Sequence, residues 1–68
     1  MTRIRWEYDA DRDRFTSKIG GVSVFETCCI DHGRKWWDVS DATRSVVVRH
    51  LNRNAAARAV VAAEAVLP

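Results

Sequence analysis

The sequence predicts an α+β fold, an antiparallel meander of four to five strands with one C-terminal helix packed on one face. Two turn signals and one change in composition indicate this fold. Gly20-Gly21 and His32-Gly33 each separate runs rich in β-branched and aromatic residues, the pattern typical of two-residue hairpins. From residue 55 the chain becomes rich in alanine, the strongest helix former. The 68 residues, 1–68, are expected to form a single domain.

The first predicted strand lies near the N-terminus. Ile4, Trp6 and Tyr8 alternate with charged residues, which predicts a half-buried strand because successive side chains of a strand point to opposite faces. A polar loop follows at 9–14. The pattern leaves open whether this strand pairs beside the segment 15–19 or across the sheet.

The two turns predict the register of the next three strands, 15–19, 22–31 and 34–41. A turn at His32-Gly33 places Cys28 opposite Trp37, and a turn at Gly20-Gly21 places Phe15 opposite Glu26. Both registers collect apolar residues on one face, with Glu26 as an exception that is expected near an edge or reaching solvent. The apolar members of this face are Phe15, Ile19, Val22, Val24, Cys28, Ile30, Trp37 and Val39.

One more strand and the helix complete the prediction. The β-branched run within Ser45–Leu51 favours a strand. Asn54 is the expected N-cap of a helix over Ala55–Leu67. Apolar residues at helical spacing predict the stripe that packs on the sheet, and its members are Ala56, Ala59, Val60, Ala63, Val66 and Leu67.

One helix covers only one face of the sheet, so the opposite face is expected to be open. Phe25, Cys29 and Trp36 fall on that face and predict an exposed apolar patch, with Lys18 at its rim. Such patches usually mark interaction surfaces. The sequence therefore predicts a non-enzymatic module that binds a protein partner or a second copy of itself.

An alternative function is nucleic-acid binding. No acidic residue lies between positions 42 and 63, and the segment holds four arginines near the last strand and the helix start. Side chains of this type contact phosphates, although charged residues also protect a solvated edge strand. The net charge of +2 does not by itself require this function. The candidate residues are Arg44, Arg49, Arg53 and Arg58.

Metal binding and catalysis find little support in the residue pattern. Asp9, Asp11 and Asp13 have the opening spacing of a calcium loop, but Arg14 stands where that loop requires glycine. The remaining metal-capable side chains form no Cys-x-x-Cys pair, and no orienting third group accompanies a possible cysteine nucleophile. We therefore predict no catalytic residue, no metal and no cofactor. These remaining side chains are Cys28, Cys29, His32 and His50.

The cysteines and the two ends of the chain bear on its location. Cys28 and Cys29 are adjacent, and a disulfide between them would be strained, which favours a reducing compartment. The N-terminus has the charge but not the apolar segment of a signal peptide. The C-terminal Ala/Val run is too short to span a bilayer. A cytoplasmic protein without membrane contact is expected.

The order of these features resembles a known group of proteins. It runs through Trp6, Phe15, Ile19-Gly20-Gly21 and Val24 to Trp37-x-Val39 and an alanine-rich tail from Ala55 to Ala59. This order resembles short phage-encoded and actinobacterial proteins with a β-meander and one alanine-rich helix, which mostly have no assigned function. The resemblance implies a phage accessory protein in the host cytoplasm that binds a host or phage protein or itself.

A looser likeness is to the sheet-plus-helix DNA-binding domains of phage integrases and plant AP2-type factors. Those domains place a sheet face in the major groove. The corresponding face of this chain carries Lys18 as its cation, opposed by Asp38, which departs from that pattern.

Overall fold

The computed structural model describes residues 3–66, which form five strands and one helix. The strands build one antiparallel sheet in the order β1-β2-β3-β4-β5, so the first strand lies beside the second. The predicted α+β meander with a single C-terminal helix on one face is confirmed. The elements are β1 Glu7–Asp9, β2 Arg14–Ile19, β3 Val22–Asp31, β4 Arg34–Asp41, β5 Val47–His50 and α1 Arg53–Glu64.

The two predicted turns and the register that follows from them are confirmed. His32 and Gly33 adopt φ values of +51° and +73°, the left-handed conformation that a two-residue hairpin of this type requires at both positions. Cys28 lies opposite Trp37, and Phe15 lies opposite Glu26. The faces assigned from the sequence are therefore the faces of the folded sheet.

The core lies between the sheet and α1. Its fully buried members are small, and alanine on the inner side of the helix allows the helix axis to approach the strands closely. Larger side chains, including Ile4, Trp6 and Trp37, surround this centre and are partly buried. The fully buried residues are Val24, Val39, Ala56, Ala57 and Val60.

The helix begins two residues earlier than the sequence predicts. Asn52 is the N-cap, and its side-chain oxygen accepts a hydrogen bond from the main-chain N–H of Ala55 at 3.0 Å. Asn54, the predicted cap, instead accepts a hydrogen bond from the indole N–H of Trp6 at 2.9 Å. A contact with a residue 48 positions away therefore decides which asparagine caps the helix.

The buried stripe of α1 also differs from the prediction. Ala56 and Val60 are buried as predicted, but Ala57 is buried and Ala59 is exposed, because the helix rotates toward an inner face at 56, 57, 60 and 61. Val66 is 81% exposed, and Leu67 lies outside the described residues.

Two strands are shorter than predicted, and the burial of Glu26 was predicted wrongly. Ile4 and Trp6 leave the sheet before β1 and pack beside the core, and β5 covers four residues of the predicted segment Ser45–Leu51. Glu26 is only 5% exposed, so the expectation that it lies near an edge or reaches solvent is wrong. It lies on the middle strand of the sheet.

Candidate functional site

The predicted open face exists, but Phe25 is not exposed on it. Phe25, Cys29 and Trp36 share the face away from the helix, as the register requires. Phe25 is only 8% exposed, and the guanidinium of Arg12 lies 5.1 Å from the centre of its ring. The exposed patch predicted here is wrong at this residue, because the β1–β2 loop folds back over the sheet.

Asp9 holds that loop in place. Its carboxylate accepts hydrogen bonds from the main-chain N–H groups of Asp11 and Arg12 at 3.0 and 3.3 Å, and from the Arg12 guanidinium at 2.9 Å. The hydrogen bond from the Arg12 side chain, followed by those from the main chain, holds the pKa of Asp9 below its ordinary value. The Asp9–Asp13 segment therefore forms an Asx-type turn that positions Arg12 over Phe25.

The rest of the open face is a polar network. The Arg49 guanidinium donates to both carboxylate oxygens of Asp38, at 2.8 and 3.1 Å, and these hydrogen bonds hold the pKa of Asp38 below its ordinary value. Cys29 lies 3.8 Å from the same carboxylate. Desolvation and then the charge of Asp38 raise the pKa of the Cys29 thiol, which disfavours the nucleophilic thiolate. Trp36 is half-buried, and its indole N–H donates to the main-chain oxygen of Asp31.

An exposed apolar surface lies instead on the helix side of the sheet, beyond the N-terminus of α1. The 12 residues of α1 span about 18 Å, whereas the 10 residues of β3 span about 33 Å. The β3–β4 hairpin therefore extends past the helix. Ile30 is 79% exposed, Leu51 is 42% exposed and Phe15 is 41% exposed, and all three lie at this end of the molecule.

A cleft of about 480 Å³ opens between this hairpin and the start of the helix. We call it the hairpin-end cleft. Phe15 and Trp37 contribute its aromatic side chains, and Glu26 lies in it as a buried carboxyl group. The residues that line it are Phe15, Glu26, Cys28, Lys35, Trp37, Leu51, Asn52, Arg53 and Asn54.

The two carboxyl oxygens of Glu26 differ in their surroundings in this cleft. Its Oε1 lies 3.7 Å from the Arg53 guanidinium, whereas the buried Oε2 has no hydrogen-bond partner among the described residues. A buried polar atom without a partner costs free energy, so a donor group that reaches this oxygen from the cleft would gain a hydrogen bond.

Two cations lie against the aromatic rings around the cleft. The Arg53 guanidinium lies 4.7 Å from the Trp6 ring centre and 6.0 Å from that of Phe15. The Lys35 ammonium lies 5.1 Å from the Trp37 ring. These distances are typical of cation–π contacts, so aromatic rings and positive charges lie side by side around the cleft.

The four predicted arginines do not form one surface. Arg49 is paired with Asp38 on the open face, and Arg53 lies among the aromatic rings near Glu26. Arg44 lies in the β4–β5 turn at φ +60°. Arg58 is exposed on α1 and faces a different group of cations. The four arginines are close in the sequence, but the sheet and the helix separate them in space.

Arg58 and Lys18 belong to a second cleft, of about 730 Å³, at the outer edge of β2. We call it the edge cleft. Arg3 and Arg5, from the segment before β1, complete its set of cations, and Glu7 is the one acidic residue among those that line it. The sequence could not indicate this cleft, because its cations come from positions 3 to 58. Its other lining residues are Ile4, Thr16, Ser17, Ile19, Gly20 and Ser23.

Three further observations concern metals, membranes and known proteins. Within residues 3–66, no cluster of three or more His, Cys, Asp or Glu side chains is arranged to hold a metal ion. No helix in that range has the length and apolar character needed to cross a bilayer. Comparison of the chain with protein-family models, with curated proteins and with solved structures yields no match in any of the three.

Proposed function

We propose that this protein is a non-enzymatic binding module that takes a segment of a protein partner into the hairpin-end cleft. The observation that carries the proposal is the buried Oε2 of Glu26, which has no hydrogen-bond partner among residues 3–66, in a cleft that Phe15 and Trp37 also line. Clefts that combine apolar walls with a few positioned polar groups are typical binding sites. The proposed interaction surface is therefore on the helix side of the sheet, whereas the sequence predicts it on the open face.

The charges around the cleft restrict the chemistry of the partner. A carboxylate cannot donate to Glu26, and a cation would meet Arg53 and Lys35. A neutral donor, such as a hydroxyl, amide or indole N–H, satisfies the free oxygen without repulsion. Acidic residues on either side of this group would face Lys35 and Arg53. The expected ligand is an apolar segment with a neutral donor and an acidic flank.

The same proposal includes the phage-type accessory role and the cytoplasmic location. Both cysteines are free, and Cys28 is exposed beside the cleft. Free cysteines are usual in reducing compartments, which supports a location inside the cell. A second copy of this chain is a possible partner that the experiment below separates from a different protein.

The test uses selection from a library of random displayed peptides, followed by affinity measurement on synthetic peptides. Selected sequences should combine an apolar side chain, a neutral donor and an acidic residue. Leu51→Asp should weaken binding about tenfold or more, the scale expected for central contacts of an interface. Ile30→Asp should also weaken binding, because Ile30 lies opposite Lys35 on the apolar surface next to the cleft. Both residues are exposed, so the variants should keep the fold.

Val47→Asp is the matched control, because Val47 is 59% exposed on the opposite face. Equal losses in Val47→Asp and Ile30→Asp would overturn the proposed location. Binding that is unchanged in Glu26→Gln would overturn the role of Glu26. Concentration-dependent dimers in sedimentation that Ile30→Asp abolishes would assign the cleft to a second copy of the chain instead of a different protein.

A further inference from the structure

The edge cleft concentrates positive charge that the net charge of the chain conceals. Arg3, Arg5, Lys18 and Arg58 line it together with Glu7, which leaves three net positive charges in one cleft. The whole chain carries only +2, so the rest of the molecule is slightly negative. A concentrated field of this kind attracts polyanions even when the total charge is small.

These cations are not neutralised by neighbouring carboxylates. Within residues 3–66, the arginines with a carboxylate oxygen closer than 4.0 Å are Arg12, Arg49 and Arg53. None of the four cleft cations is among them. Four positive charges that share a cleft with one acidic residue repel one another, and a bound anion would relieve that repulsion.

Neutral donors accompany the cations. The pairing of β1 with β2 ends at Glu7 opposite Thr16, which leaves Ser17–Ile19 of β2 without a paired strand on the outer side. Alternate main-chain N–H groups of an edge strand point outward, and the hydroxyl group of Ser23 lies in the same cleft. Arginine, lysine, hydroxyl and main-chain N–H groups are the donors that proteins present to nucleic-acid phosphates.

We propose that the edge cleft binds the phosphodiester backbone of nucleic acid. No aromatic side chain lines the cleft, whereas the cores of protein interfaces are enriched in aromatic residues. The absence of aromatic anchors favours a phosphate chain over an acidic protein segment. The contacts involve phosphates, so binding depends weakly on base sequence. This binding is independent of the hairpin-end cleft.

The experiment measures fluorescence anisotropy of labelled duplex DNA and of single-stranded RNA at several salt concentrations. Four phosphate contacts predict a slope of about −3.6 for log K against log salt on duplex DNA and about −2.8 on single strands. The former corresponds to about a 100-fold loss between 50 and 200 mM salt. Arg3→Gln/Arg5→Gln should reduce the magnitude of the slope by about two.

Arg14→Gln/Arg34→Gln is the matched control, because it removes the same charge from two arginines that line neither the edge cleft nor the hairpin-end cleft. It should leave both affinity and slope unchanged. Equal losses in the two double variants would overturn the site, since they would indicate diffuse attraction. Equally tight binding of poly-glutamate that Arg3→Gln/Arg5→Gln also abolishes would assign the cleft to an acidic protein. Ile30→Asp should not change nucleic-acid affinity, which separates this test from that of the hairpin-end cleft.

Discussion

Asp41 and Glu64 join the end of β4 to the last turn of α1. Asp41 is 4% exposed and accepts hydrogen bonds from the main-chain N–H of Val46 at 3.4 Å and the hydroxyl of Thr43 at 3.2 Å. It also shares a hydrogen bond with Glu64, which lowers the pKa of Asp41 and raises that of Glu64. Two neighbouring carboxyl groups disfavour the state in which both are negatively charged.

This pair makes the free energy of unfolding depend on pH in two regions, one above 4.5 and one below 3.8. The raised pKa of Glu64 means that the folded state binds more protons, so stability falls as pH rises from the ordinary value of 4.5 through the raised value. The lowered pKa of Asp41 has the opposite effect, and its contribution is lost as pH falls from 3.8 through the lowered value.

Glu64→Gln should therefore raise the urea midpoint at neutral pH and remove the decline above pH 4.5. The glutamine amide donates to Asp41 at every pH and carries no charge, and its helix propensity matches that of glutamate. Asp11→Asn removes the same charge from an exposed loop and serves as the control. A midpoint of Glu64→Gln at or below that of the natural chain at pH 7.5 would contradict this account.

The packing of α1 is the clearest point at which sequence and structure disagree on an element. Helical periodicity allows the inner face to include Ala59, whereas the structure buries Ala57 and exposes Ala59. Ala57→Leu should cost about 1–3 kcal/mol, because extra methylene groups in a filled core force strain. Ala59→Leu should stay within about 0.5 kcal/mol. Urea denaturation of the two variants measures both free energies.

Two outcomes of the same measurement would contradict this description of the helix packing. A larger loss in Ala59→Leu would show that the helix faces the sheet as the sequence pattern predicts. No loss in either variant would show that α1 does not approach the sheet closely. Since both substitutions exchange alanine for leucine within one helix, intrinsic propensity does not separate them.

Local signals predict the strands well because the turns are determined locally. Gly33 and Gly20 tolerate positive φ, and once a two-residue turn is placed, the period of two assigns every side chain to a face. The start of α1 is different, because Asn52 and Asn54 are both good caps. The hydrogen bond from Trp6 to Asn54 decides between them, and no local pattern contains it.

The sites were harder to predict than the strands for the same reason. Phe25 and Trp36 fall on the predicted face, but nothing local indicates that Arg12 covers the Phe25 ring. The hairpin-end cleft could have been predicted from the sequence, because Phe15, Cys28 and Trp37 lie on one face in the predicted register. Comparing the length of a 12-residue helix with that of a 10-residue strand would have shown that the helix leaves this end uncovered.

At the scale of the whole molecule, a domain this small has little stability to spare, so charge arrangement should be measurable in its thermal unfolding. The four cations of the edge cleft repel one another in the folded state, and salt screens that repulsion. Binding sites commonly reduce stability in this way, because groups arranged for a ligand are not optimal without it. Each cation of the edge cleft should therefore lower the stability of the unbound protein and raise its affinity for nucleic acid.

Arg58→Gln tests this coupling on one exposed helix position. At low salt its melting temperature should exceed that of the natural chain, and the difference should shrink as salt is added. Duplex DNA at about 100 times its Kd should stabilise the natural chain by about 2.7 kcal/mol, or about 10 °C or more for a domain of this size. The same DNA should stabilise Arg58→Gln less. An Arg58→Gln variant that melts lower at low salt and gains as much from DNA would show that these cations neither repel one another nor act together on phosphate.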